Sequence, residues 1–109
     1  MKSQVREKDI EGYLTKKVKE NGGRAYKFIS PGNSGVPDRQ VLFPMGTIVF
    51  VELKAPGKSS TELQLMQQKR LKDLGFIVLV IDSKQGVDEL ISLCLGVVAH
   101  KINKEVYKP

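Results

Sequence analysis

The 109-residue chain has only 6% aromatic residues, no tryptophan, one cysteine and one histidine, and the last two shortages each remove a class of chemistry. A single thiol cannot form an internal disulfide, and Cys94, set between Leu93 and Leu95, is expected as a small core side chain. One thiol and one imidazole cannot build a Cys/His zinc centre; His100 stands outside the candidate site and is expected at the surface. There is no Gly-x-x-x-x-Gly-Lys loop to cradle phosphates, so ATP-driven chemistry is unsupported. No apolar run approaches the roughly 18 residues of a membrane-spanning helix. Residues 1–7 also lack the apolar stretch of a signal peptide, so a soluble, cytoplasmic protein without a membrane partner is expected.

What the chain has in excess is positive charge. Lys and Arg outnumber Asp and Glu by 18 to 12, a net charge of +6, which favours a polyanionic partner, nucleic acid before an anionic membrane. The length suits one domain, residues 1–109, with one core.

The apolar pattern divides the chain. Ile10, Tyr13, Leu14 and Val18 recur at helical spacing over residues 5–20, and Asn21-Gly22-Gly23 supplies a stop. Residues 24–29 read as a strand, and the Pro/Gly-rich stretch 30–35 as a loop. Two further strands, 39–43 and 47–54, are joined by Pro44-Met45-Gly46, a link short enough to force an antiparallel hairpin. Ile48, Val49, Phe50, Val51 and Leu53 place apolar groups on both faces of the second strand, which marks it as central. Ser59-Ser60-Thr61-Glu62 has capping-box spacing, and a helix with Leu63, Met66, Leu71 and Leu74 as its buried stripe is predicted to follow, ending at Gly75. Residues 76–81 form a strand parallel to 47–54, and 85–95 a last helix; 97–109 are basic and carry no clear pattern. The order α-β-β-β-α-β-α implies an α/β domain with a mixed central sheet flanked by helices.

A hairpin centred on Met45 pairs residues whose numbers sum to about 90, so Asp38 faces Glu52. Opposed residues project from one sheet face with Cβ atoms roughly 4.5–5.5 Å apart, and two carboxylates at that distance repel each other. A hard divalent cation, Mg²⁺ or Mn²⁺, relieves that repulsion and leaves positions open for water and phosphate. Lys54 lies two residues past Glu52, on the same face, where its ammonium can orient a nucleophile or stabilise phosphoryl charge. Phosphodiester hydrolysis is the chemistry this set serves.

Gly35-Val36-Pro37-Asp38 followed by Glu52-Leu53-Lys54 resembles the PD-(D/E)XK nuclease signature of the restriction-endonuclease-like core, proline included. With Glu7 in the first helix and Ser60-Thr61-Glu62-Leu63-Gln64 before Gly75, residues 5–85 resemble its VRR-NUC branch. That resemblance implies metal ligation by Asp38 and Glu52, with the Leu53 carbonyl and a first-helix glutamate as further ligands. Glu7 fits the pattern Glu-x-x-Ile-x-x-x-Leu best, and Glu11, one turn later, is its rival. The resemblance also implies a catalytic role for Lys54 and a phosphate- or water-contacting glutamine, for which Gln64 fits and Gln67 and Gln68 compete. Stand-alone members of the branch are often phage-encoded and similar to homodimeric nucleases of four-way DNA junctions, which implies branched DNA as substrate and a second copy as partner. Asn33, Ser34, Arg39 and Lys58, with Arg24, Lys27 and Lys69, are candidate DNA contacts. A noncatalytic nucleic-acid-binding module and an exonuclease or restriction-type nuclease are the competing readings.

Overall fold

The computed structural model describes residues 4–106. Helix α1, Glu7–Glu20, buries Ile10, Leu14 and Val18, a stripe at i, i+4 and i+8. It starts where the Asp9 carboxylate accepts the Arg6 main-chain N–H at 2.8 Å. It stops at Asn21, after which Gly22 takes a positive φ of 90° and the Gly23 N–H reaches back to the Val18 carbonyl at 2.9 Å.

Four strands follow in the order β1-β2-β3-β4 across one sheet: β1 Arg24–Lys27, β2 Arg39–Phe43, β3 Thr47–Leu53 and β4 Ile77–Ile81. β1/β2 and β2/β3 pair antiparallel, while β3/β4 pair parallel across helix α2, Glu62–Asp73. Helix α3, Lys84–Val106, closes the domain. The mixed sheet between helices is the predicted architecture. One sheet face, bearing Val41, Phe43, Val49, Val51, Leu53 and Ile81, packs on α1 and on Val87, Leu90, Ile91, Cys94 and Val98 of α3. Each such side chain contributes roughly 1.5–3 kcal/mol through burial. Cys94 is fully buried, and burial pushes its thiol up to about 11, as suits an inert core residue. No helix among the described residues is long and apolar enough to cross a membrane.

Several expectations need correction. β1 ends at Lys27 and β3 at Leu53, because Phe28 and Lys54 continue only as single main-chain bonds, Phe28 N–H to the Asp38 carbonyl and Lys54 N–H to the Ile81 carbonyl, both at 2.9 Å. The capping box that starts α2 is Thr61 with Gln64, two residues beyond the Ser59/Glu62 pair. α3 runs on through most of the unassigned basic stretch, since Val98 extends its buried stripe and Lys101 Nζ donates to the Met45 carbonyl and Thr47 Oγ1 at 3.1 and 3.2 Å. Residues 107–109 of that stretch lie outside the described part.

The largest reversal concerns the face of α2. The stripe turned to the protein is Gln64, Gln67, Gln68 and Leu71, with Gln67 and Gln68 only 8% and 4% exposed. Leu63, Met66 and Leu74, expected inside, are 46%, 40% and 74% exposed. Hydrogen bonds decide the orientation: Gln67 Nε2 donates to the Ser34 carbonyl at 3.2 Å and Gln68 Nε2 to Ser60 Oγ at 3.0 Å. Buried amides without such partners would be costly.

Two glycines test the α1–sheet corner. A Cβ on Gly23 would lie 2.5 Å from the Leu42 carbonyl oxygen and 3.0 Å from Val18 Cγ1, whereas one on Gly12, mid-helix, meets nothing within 4 Å. Gly23→Ala is expected to destabilise by about 1–3 kcal/mol through overpacking, and Gly12→Ala to stabilise by up to about 1 kcal/mol. Urea denaturation of both variants checks the pair.

Candidate active site

The hairpin turn fixes the site. Met45 and Gly46 both take left-handed φ, 61° and 64°, and the ladder from Phe43↔Thr47 to Arg39↔Val51 keeps the sum of 90. Asp38 and Glu52 are the next step of that register. There the ladder gives way to a side chain: the Leu53 N–H donates to Asp38 Oδ1 at 3.0 Å. Pro37, the residue before Asp38, is fully buried. Gly35, with φ +89°, lies so close to α2 that a Cβ there would be 2.9 Å from Leu63 Cγ. The glycine and proline of the Gly-Val-Pro-Asp motif thus carry the chain tightly past α2 into Asp38.

On the same face Glu52 is buried, Lys54 Nζ lies 3.9 Å from its Oε2, and Gln64 joins the two. Gln64 Oε1 accepts from Lys54 Nζ at 2.7 Å and from the Thr61 N–H at 2.9 Å, while Nε2 donates to Glu52 Oε2 at 3.3 Å. One side chain therefore caps α2 and fixes the catalytic candidates. Burial raises Glu52 to about 7, the Asp38 charge adds to the rise and Glu7 adds less, while Lys54 opposes it.

The two first-helix glutamates have separate surroundings. Glu7 is exposed at the start of α1, with its charge felt by Glu52, whereas Glu11 Oε2 pairs with Arg39 Nη2 at 2.8 Å. Among the described residues no three Asp, Glu, His or Cys side chains converge as a metal-holding group. The carboxylates that stand together are Asp38 and Glu52, and Glu7 is not brought into one metal-holding group with them. The hard oxygens of the Asp38/Glu52 pair, and a carboxylate raised by burial and then by its neighbour's charge, fit a Mg²⁺ or Mn²⁺ ion that also takes water or main-chain oxygen.

The candidate DNA contacts divide in the same way. Asn33, Ser34 and Lys58 are exposed, and Lys58 lines a cleft of about 540 Å³ with Gln4, Val5, Ala55 and Pro56, next to Lys54 in the chain. Arg39 is turned inward, 8% exposed, against the expectation of a surface cation. Its odd-numbered place on β2, with Val41 and Phe43, sends it to the α1 face. His100 is exposed, as expected. Sequence reasoning did not find the part played by Gln67, which holds the loop before Asp38; the only signal was the i, i+3, i+4 spacing of Gln64, Gln67 and Gln68.

An α/β core with opposed acids at a hairpin base and a lysine two residues on defines a nuclease of the restriction-endonuclease-like class. The chain is 52% identical over 80 residues, covering 73% of its own length and 86% of the relative, to "Putative nuclease p44" of Acyrthosiphon pisum secondary endosymbiont phage 1. A solved VRR_NUC domain superposes with a TM-score of 0.74 at 33% identity, covering 79% of this chain and 94% of the other. No protein-family model matches. The chain belongs to the VRR-NUC family of nucleases.

The raised Glu52 carries a pH signature in metal-free protein. Its folded pKa of about 7 exceeds the ordinary 4.5, so the folded state holds a proton that the unfolded state has lost between those values. Stability from this group is full below pH 4.5 and falls as pH rises toward and through 7, by up to about 3 kcal/mol. Thermal unfolding with chelator should show that decline in wild type and a flatter profile in Glu52→Gln; equal slopes in the two proteins would contradict it.

Proposed function

We propose that this nuclease is a Mg²⁺- or Mn²⁺-dependent DNA endonuclease that acts on branched DNA such as four-way junctions, working as a homodimer inside a bacterial cell. The observation that carries the catalytic reading is the opposition of Asp38 and Glu52 with Lys54 fixed on their face. Asp38 and Glu52 would hold the cation, with the Leu53 carbonyl as a supplementary donor and Glu7 adding negative charge from the start of α1. A cation bound there supplies a polarised phosphate oxygen and a bound water of lowered pKa. Lys54, its ammonium held by Gln64, offers positive charge to the phosphate and helps orient the attacking water. Gln64 also donates to Glu52 Oε2 at 3.3 Å, so one amide holds the lysine and the carboxylate in place together. Asn33, Ser34 and Lys58 line the approach for the DNA backbone, where the overall charge of +6 favours binding.

Asp38→Ala and Glu52→Ala are each expected to reduce cleavage by at least about a hundredfold while much of the DNA affinity remains. Labelled linear duplex, single strand, flap and four-way junction, incubated in Mg²⁺ and in Mn²⁺, provide the assay. Paired nicks near the junction support the substrate assignment; progressive shortening of ends replaces it with an exonuclease, and binding without cutting in either metal replaces it with a noncatalytic module.

The outward side of α2 supports pairing. Met66 and Leu74 are exposed along it, with Leu63 at its edge beside the Gly35 loop, and its first turn carries Glu62 while its last carries Arg70 and Lys72. Two copies meeting antiparallel through this stripe set one copy's Glu62 near the other's basic turn and cover both apolar stripes, a self-complementary contact of two-fold type. Both Met66 and Leu74 are solvent-facing, so Met66→Glu with Leu74→Glu should leave the fold intact and convert a dimeric mass to a monomeric one by light scattering. A wild-type monomer, alone and on DNA, would remove the pairing; a dimeric variant would move it to another surface.

A further inference from the structure

Arg39 occupies a place that its charge does not favour. It is 8% exposed on the sheet face that carries Val41, Phe43 and Val51, and Val51 is its cross-strand partner. Removing a guanidinium from water there is costly unless it is paired and hydrogen-bonded. The pairing is directional. Nη2 meets Glu11 Oε2 of α1 at 2.8 Å, and Nη1 donates to the Asp38 carbonyl at 2.9 Å while lying 3.4 Å from Asp38 Oδ2. The other Asp38 oxygen, Oδ1, accepts from the Leu53 N–H. Each oxygen of the carboxylate is thus engaged from a different side, one by β3 and one by an arginine anchored on α1.

We propose that Arg39, braced by Glu11, is a positioning residue that orients the Asp38 carboxylate toward Glu52 from the far side of the sheet. The inference rests on the reading of Asp38 as part of the catalytic site. It gives Glu11 a role other than ligation: an anchor that keeps the guanidinium extended. The fork matters because a guanidinium reaches Glu11 with one nitrogen and Asp38 with another, and a lysine ammonium offers a single point. Its positive charge also offsets the Asp38 carboxylate, so that two acids can share a narrow space.

The Leu53 amide reports this arrangement without any metal or substrate, since its hydrogen bond ends on the Asp38 side chain. In metal-free Arg39→Lys, amide hydrogen exchange at Leu53 followed by NMR is expected to accelerate at least tenfold, with the Val49 and Val51 amides unchanged. The same variant should lose about tenfold in kcat with KM for DNA unaltered. Glu11→Gln should reproduce the pattern more weakly, and the double variant should be no worse than Arg39→Lys alone. Unchanged Leu53 exchange overturns the proposal, and so does uniform acceleration along β3, which would mark Arg39 as general support for the fold. A raised KM with unchanged kcat also overturns it, because Arg39 would then be a DNA contact. If wild type cuts no DNA, the catalytic reading fails while the exchange measurement still decides whether Arg39 and Glu11 hold Asp38.

Discussion

Everything at the active end of this molecule depends on two carboxylates that the hairpin will not let separate. Once Met45 and Gly46 close the turn, the β2–β3 register leads directly to Asp38 and Glu52, and the pleat puts both on one face. Side chains at such a step repel when both are charged, and burial makes the repulsion harder to screen. The neighbourhood is organised around that cost. Lys54 stands beside Glu52, Arg39 beside Asp38, and Gln64 donates to Glu52. Even so, burial first and the Asp38 charge second raise Glu52 to about 7. A site left in this condition is suited to a cation and badly suited to being a passive surface.

Helix α2 is the second organising element. A helix of a small domain usually presents its leucines to the core, yet here glutamines face inward because each has a particular partner. Gln64 fixes Lys54 and Glu52, Gln67 the loop before Asp38, and Gln68 the loop before α2. The helix thus holds both strand contributions to the site in one register. Met66 and Leu74, displaced to the outside, form the stripe proposed for pairing, so the same rotation that builds the site also exposes the contact surface.

These two elements show what sequence makes legible. The turn residues and the alternation of Arg39 to Phe43 and of Thr47 to Leu53 determine the hairpin locally, and so the Asp38–Glu52 opposition could be read by arithmetic. The Glu-x-Lys spacing placed Lys54 by the same reasoning. The face of α2 was not legible, because periodicity ranks side chains by hydrophobicity, while Gln67 and Gln68 are buried by hydrogen bonds to Ser34 and Ser60, segments distant or irregular in the chain. Arg39 was misread for a related reason: strand alternation puts it inside, but its partner Glu11 lies on another element, and a basic residue beside a candidate site reads as a DNA contact. Glu7 and Glu11 share one helix and differ only in what the tertiary structure brings near them.

The central claim is that Asp38 and Glu52 together form a divalent-cation site. Calorimetric titration of the purified protein with Mn²⁺ tests it most directly, with Asp38→Ala alongside. One ion per chain in wild type, abolished or weakened at least tenfold in the variant, is the predicted result. Absence of binding both with and without DNA, or an undiminished affinity in Asp38→Ala, would contradict it.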